Sequence, residues 1–141
     1  MNYKSNNHVV YSCKYYVVFC PKYRRKVLVN GVDTRLTELV KSICEEMSVE
    51  VLDMEIMPDH VYLLLDVQPQ FGIHKAVKSI KGKSSRILRQ EFPWLKSRLP
   101  TLWTNSYFCS TVGSVPQTVV KQYIDNQTVS QRAEEKARRL T

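Results

Sequence analysis

Val49-Glu50-Val51-Leu52-Asp53-Met54-Glu55-Ile56-Met57, then Pro58-Asp59, then His60-Val61-Tyr62-Leu63-Leu64-Leu65-Asp66-Val67 is the stretch that decides the fold. Val49, Val51, Met54 and Ile56 stand among polar neighbours in the manner of a half-buried strand. Pro58-Asp59 breaks the pattern, and the run from His60 to Val67 reads as a second strand.

Working outward, the apolar residues Leu36, Leu39, Val40, Ile43 and Met47 recur at helical spacing between Asp33 and Met47, with Asp33 or Thr34 as the expected N-cap. Ahead of that helix, Ser12 to Phe19 is rich in aromatic and β-branched residues and ends at Pro21, which predicts a strand. Beyond Val67, a long helix is expected from Gly72 or Ile73 to about Phe92, closed by Pro93. A loop with Trp94, Pro100 and Trp103 then leads to a strand from Tyr107 to Val112. Pro116 opens a last helix that carries Val119, Val120, Tyr123 and Ile124.

The order strand, helix, strand, strand, helix, strand is the split βαβ pattern of an α+β, ferredoxin-like or RRM-like βαββαβ sandwich. Its sheet is expected to be antiparallel, and the added C-terminal helix carries Tyr123. Residues 1–129 read as one domain and 130–141 as a charged tail.

The chain has 141 residues, enough for one self-sufficient core. No apolar run approaches the roughly 20 residues that span a bilayer. The N-terminus has no signal-peptide core, so the protein is expected in the cytoplasm. Cys13, Cys20, Cys44 and Cys109 show no zinc-ligand spacing and read as small buried hydrophobes.

The formal net charge of +8 points to a polyanionic partner. Two patches concentrate it. Lys22, Arg24, Arg25 and Lys26 cluster around Tyr23, and Lys75, Lys78, Lys81, Lys83, Arg86 and Arg89 follow one another with no acidic residue between them. Cations so crowded repel one another, and a phosphate backbone relieves them, although a solvated helix face or a charged hairpin tip has the same composition. Lys81-Gly82-Lys83-Ser84-Ser85 is not a phosphate loop, since Val77 stands where the first glycine would be. The aromatic strand motif of RNA-recognition domains is missing too.

Along the second strand of the opening stretch His60 and Tyr62 face the same way. On the last helix Tyr123 and Gln127 lie one turn apart. A strand His beside a Tyr is ordinarily a packed pair, and a helical Tyr ordinarily a half-buried core residue, so spacing by itself leaves their roles open.

Five segments together carry a resemblance: 14–25 (KYYVVFCPKYRR), Met57-Pro58-Asp59-His60, Ile80-Lys81-Gly82-Lys83-Ser84-Ser85, Ser110-Thr111-Val112-Gly113 and Tyr123-Ile124-Asp125-Asn126-Gln127. In this order they resemble the single-tyrosine HUH (His-hydrophobic-His) transposases of small bacterial insertion sequences, including the REP-associated tyrosine transposases. The resemblance implies that Tyr123 is the nucleophile and that His60 and Gln127 are ligands of a divalent metal, Mg²⁺ or Mn²⁺. It implies a homodimer whose sites are completed in trans, acting on single-stranded DNA with hairpin ends.

The expected reaction is cleavage and rejoining through a 5′-phosphotyrosine. The sequence departs from the pattern at the second His of the motif, where Tyr62 stands. A phenol with pKa near ~10 is a poor metal ligand at neutral pH. The competing expectations are a hairpin-binding protein without chemistry and a generic RNA-binding domain.

Overall fold

The computed structural model describes residues 4–6, 9–11, 13–112 and 124. The predicted helix from Pro116, except Ile124, and the charged tail lie outside these residues, as do Tyr123 and Gln127. Strands β1 (Lys4–Asn6) and β2 (Val9–Tyr11) pair antiparallel in a small sheet of their own. The main sheet comprises β3 (Lys14–Phe19), β4 (Glu50–Met57), β5 (His60–Asp66) and β6 (Phe108–Thr111). Its order is β4-β5-β3-β6, antiparallel throughout. β3 and β4 are thus separated by β5, which is the split βαβ arrangement of the expected sandwich.

Helices α1 (Val32–Glu46) and α2 (Ile73–Glu91) contribute to one core with the sheet. Val17 and Phe19 of β3, and Val61, Leu63 and Leu65 of β5, are fully buried in it. Each such side chain contributes roughly 2 kcal/mol by leaving water. On β4 a register irregularity between Val51 and Asp53 skips Leu52. That extra residue resets the alternation, so Val51, Met54 and Ile56 all pack against the core.

Two expectations need correcting. α1 starts at Val32, not at Asp33 or Thr34, because the chain turns through Gly31 in the left-handed region (φ 97°), a conformation glycine adopts without a Cβ clash. Asp33 lies in the first turn, where a carboxylate favours the helix dipole.

The predicted loop after Pro93 holds a short helix, α3 (Trp94–Arg98). Its continuation is tied to the end of β3 by hydrogen bonds from Lys22 N–H to the Leu102 carbonyl (2.8 Å) and from Thr104 N–H to the Cys20 carbonyl (3.0 Å). Trp103 packs edge-on against Phe19 with centroids 4.8 Å apart, and its indole N–H donates to the buried Ser84 hydroxyl at 3.1 Å. Among the described residues no helix is long and apolar enough to cross a membrane.

Candidate active site and nucleic-acid interface

His60 opens β5 directly after the Pro58-Asp59 break, on the sheet face opposite the buried Val61. Its Nδ1 donates to Asp59 Oδ1 at 2.8 Å. A carboxylate can only accept, so Nδ1 carries a proton, and in the neutral ring that leaves the Nε2 lone pair to meet a cation. That is the outer-sphere arrangement by which a carboxylate orients a metal-binding imidazole.

The other oxygen of Asp59 pairs with Arg24 Nε at 2.9 Å. Burial pushes the Asp59 carboxyl up, but the His60 hydrogen bond and the Arg24 guanidinium outweigh it and hold it below the usual range. Arg24 Nη1 also donates to the main-chain carbonyl of Ile124 at 3.2 Å. The residue following Tyr123 in sequence is therefore brought to the His60 end of the sheet of the same chain.

Tyr62 shares the face of His60, and its ring lies beside Tyr16. Burial raises its phenol above the ordinary value, and Tyr16, Asp53 and Glu55 add to the shift. At neutral pH it is a protonated phenol. His60 is the imidazole that fits a divalent cation here. Among the described residues no group of three or more His, Cys, Asp or Glu comes together as a metal cage. Gln127 and Tyr123, the other residues implied by the resemblance, lie outside the described residues.

The basic residues differ in exposure. Arg25, Lys26, Lys75, Lys78 and Arg86 are exposed. Arg25 and Lys26 line a cleft of about 450 Å³ with Arg98, a cation not singled out in the sequence, whose guanidinium stacks on Trp94. Lys75 lies over the ring of Phe71 and Lys22 over that of Tyr23.

The less exposed cations meet protein groups. Arg24 faces Asp59. Lys83 pairs with Glu46 of α1 at 3.3 Å, and Arg89 donates to the Pro100 carbonyl. Lys81 Nζ donates to the carbonyls of Thr104 (2.6 Å), Asn105 (3.3 Å) and Ser106 (3.3 Å). Burial pushes its ammonium down to about 8.

The uncompensated row of cations expected on α2 is therefore smaller than its sequence suggests. Lys78 and Lys81 border a second cleft of about 480 Å³ with Gly82, His74, Trp103 and Tyr107. The missing signal was long-range: nothing local in the sequence shows that Arg24 would meet Asp59, or that Lys81 would meet the 104–106 turn.

Comparisons with known proteins show the family. Residues 9–127 match the family described as Transposase IS200 like. The ISDra2 transposase TnpA of Deinococcus radiodurans is 38% identical over 126 residues, 88% of this chain and 90% of that protein. The transposase for insertion sequence element IS200 of Salmonella typhimurium is 32% identical over 126 residues, 88% and 82% of the two chains.

A solved transposase structure from Deinococcus radiodurans superposes with a TM-score of 0.81 at 37% identity, covering 88% of this chain and 97% of that one. A REP-associated tyrosine transposase bound to a REP hairpin shares the fold at a TM-score of 0.56 and 10% identity, covering 86% and 68%. Matched across almost its whole length by that family and by two of its transposases, the chain belongs to the IS200-like transposases.

Proposed function

We propose that the chain is a single-strand DNA transposase that recognises hairpin ends and cleaves and rejoins DNA through Tyr123. The observation that carries this reading is the bridge from His60 through Asp59 and Arg24 to the Ile124 carbonyl. It links a candidate metal ligand to the residue next to the candidate nucleophile. The hairpin-bound relative supports hairpin DNA as the substrate class.

In the proposed reaction the Tyr123 oxygen attacks the scissile phosphorus and gives up its proton. The P–O3′ bond breaks, the leaving oxygen takes up a proton as a free 3′-OH, and the 5′-phosphate stays on Tyr123. A second 3′-OH later displaces the tyrosine and reseals the strand without an energy source.

A divalent metal, Mg²⁺ or Mn²⁺, held by His60 and Gln127, would polarise the phosphoryl oxygen. Asp59 fixes the His60 ring, and the exposed Arg25, Lys26, Lys75, Lys78 and Arg86 would hold the phosphate backbone.

The resemblance adds to this reading a homodimer with each tyrosine acting in the partner's site. The alternative, a site completed within one chain, is favoured by the Arg24–Ile124 hydrogen bond. A hairpin-binding protein without cleavage is the second functional reading, favoured by the protonated phenol of Tyr62.

The deciding experiment incubates the protein with single-stranded hairpin DNA and Mn²⁺ or Mg²⁺, then resolves the products on a denaturing gel. A covalent protein–DNA band that disappears in Tyr123→Phe is expected. A band that persists in Tyr123→Phe moves the nucleophile elsewhere, and no band in the parent favours the binding-only reading.

A further inference from the structure

We infer that Arg24 is a positioning residue, rather than a phosphate contact, which fixes the His60 ring through Asp59 and holds the main chain beside Tyr123 through the Ile124 carbonyl. The second half of this inference rests on the proposed role of Tyr123; the first half does not.

Three observations converge on Arg24. The first is its placement. Among consecutive basic residues Arg25 and Lys26 are exposed, whereas the Arg24 side chain is only 18% accessible and meets an Asp59 side chain that is 19% accessible. A cation serving the DNA backbone gains nothing from being turned inward onto a carboxylate.

The second is the backbone. Tyr23 and Arg24 both have positive φ, 59° and 49°, in the 3-10 turn Lys22–Arg24. Non-glycine residues rarely adopt this region, and two in succession persist only where the surroundings hold them. Here the buried Tyr23 ring and the hydrogen bond from Arg24 N–H to the Pro21 carbonyl (2.8 Å) do so. The result of the turn is that Arg24 is turned inward, as Tyr23 is, while Arg25 and Lys26 are exposed.

The third is the fork. Nε pairs with Asp59 at 2.9 Å while Nη1 donates to Ile124 at 3.2 Å. A planar guanidinium spreads its charge over three nitrogens, so one edge of it can pair with a carboxylate while another nitrogen donates to a carbonyl; a single ammonium on a flexible stem does not hold both. With Asp59 held by Arg24, the remaining carboxylate oxygen faces His60 Nδ1 in one orientation, which selects the tautomer whose Nε2 is open to a cation.

The test compares the parent with Arg24→Gln and Arg24→Lys in four measurements. Nitrogen NMR of the neutral His60 ring, assigned by its loss in His60→Ala, is expected to show the Nδ1–H tautomer in the parent and a mixture in both variants. Mn²⁺ affinity without DNA should fall roughly tenfold in both. Hairpin affinity in chelator, and its salt dependence, should be unchanged. Covalent adduct formation should stay slow even at saturating Mn²⁺.

Failure of Arg24→Lys to rescue is the signature of the fork, since a lysine would serve a phosphate well. Unchanged tautomer and Mn²⁺ affinity, with the salt dependence of DNA binding reduced by roughly one slope unit, would overturn the inference and make Arg24 a phosphate contact. Should Arg24→Gln not fold, Arg24→Lys carries the same readouts. The tautomer and Mn²⁺ measurements need neither DNA nor Tyr123. An adduct that survives Tyr123→Phe therefore defeats the nucleophile assignment alone, and an unmoved tautomer defeats the role of Arg24 alone.

Discussion

Tyr62 and Tyr16 lie side by side on the sheet face that carries His60, ring centroids 6.1 Å apart and tilted by 34°. The phenol at position 62 is thus packed as well as protonated, on the sheet face that His60 shares. Tyr62→His should tighten Mn²⁺ by at least the roughly tenfold that even an outer-sphere partner is worth. Strand cleavage should rise with it, while hairpin affinity in chelator is unchanged. A metal titration of cleavage rate in both forms reads this directly; equal rates at the same low metal would show that Tyr62 is no handicap.

Lys78 and Lys81 are three residues apart but should behave differently. Lys78→Gln and Arg86→Gln remove exposed cations and should each flatten the salt dependence of DNA binding by roughly one unit. Lys81→Met should leave that slope alone. It strands the carbonyls of Thr104, Asn105 and Ser106, so it should cost about 2 kcal/mol and lower Tm by roughly 5 °C. Salt titrations and thermal melts of the three variants separate the two roles.

Cys44 provides a pH test of the core. Burial pushes its thiol up to about 11, against roughly 8.5 in an unfolded chain. A proton held more tightly in the folded state stabilises that state fully below the unfolded value. The contribution fades as pH rises through about 9 to 11, a loss on the order of 2–3 kcal/mol. Lys81, pushed down to about 8, acts in the opposite direction over the neighbouring range, so the comparison is made against Cys44→Ala at each pH. The urea midpoint of the parent should fall more steeply than that of Cys44→Ala between about pH 9 and 11.

A mixing experiment distinguishes a shared site from a self-contained one. Tyr123→Phe and His60→Ala chains are each expected to be inactive alone. If the tyrosine acts in the partner's site, random dimers of the two should recover about one quarter of parental cleavage, one good site in half of the dimers. No recovery from refolded or co-expressed pairs would assign the site to one chain, in keeping with the Arg24–Ile124 hydrogen bond.

Much of the architecture was legible from 49–67 because both arms have one side facing the core, and side-chain alternation records that directly. The extra residue at Leu52 was not read there; it shows in the strand register. The boundaries of α2 followed from Gly72 and Pro93. What escaped was short or long-range. β1 and β2 have three residues each, too few to establish a period. α3 lacks a side-chain cap. At the site, His60 and Tyr62 were legible by alternation, but the pairing of Asp59 with Arg24 depends on a turn whose positive φ values no local propensity favours. The inward Lys81 was indistinguishable in sequence from the outward Lys78.

The two tryptophans report on separate events. Trp103 is 5% exposed, stacked edge-on to Phe19 and hydrogen-bonded to Ser84, so its fluorescence should emit at short wavelength and change when the core opens. Trp94 sits half-exposed under the guanidinium of Arg98, near a basic cleft. Its emission should be red-shifted, open to iodide quenching, and sensitive to any polyanion that draws Arg98 away. Selective quenching thus resolves surface occupancy from unfolding in the unlabelled protein, with Trp94→Phe and Trp103→Phe to assign each signal.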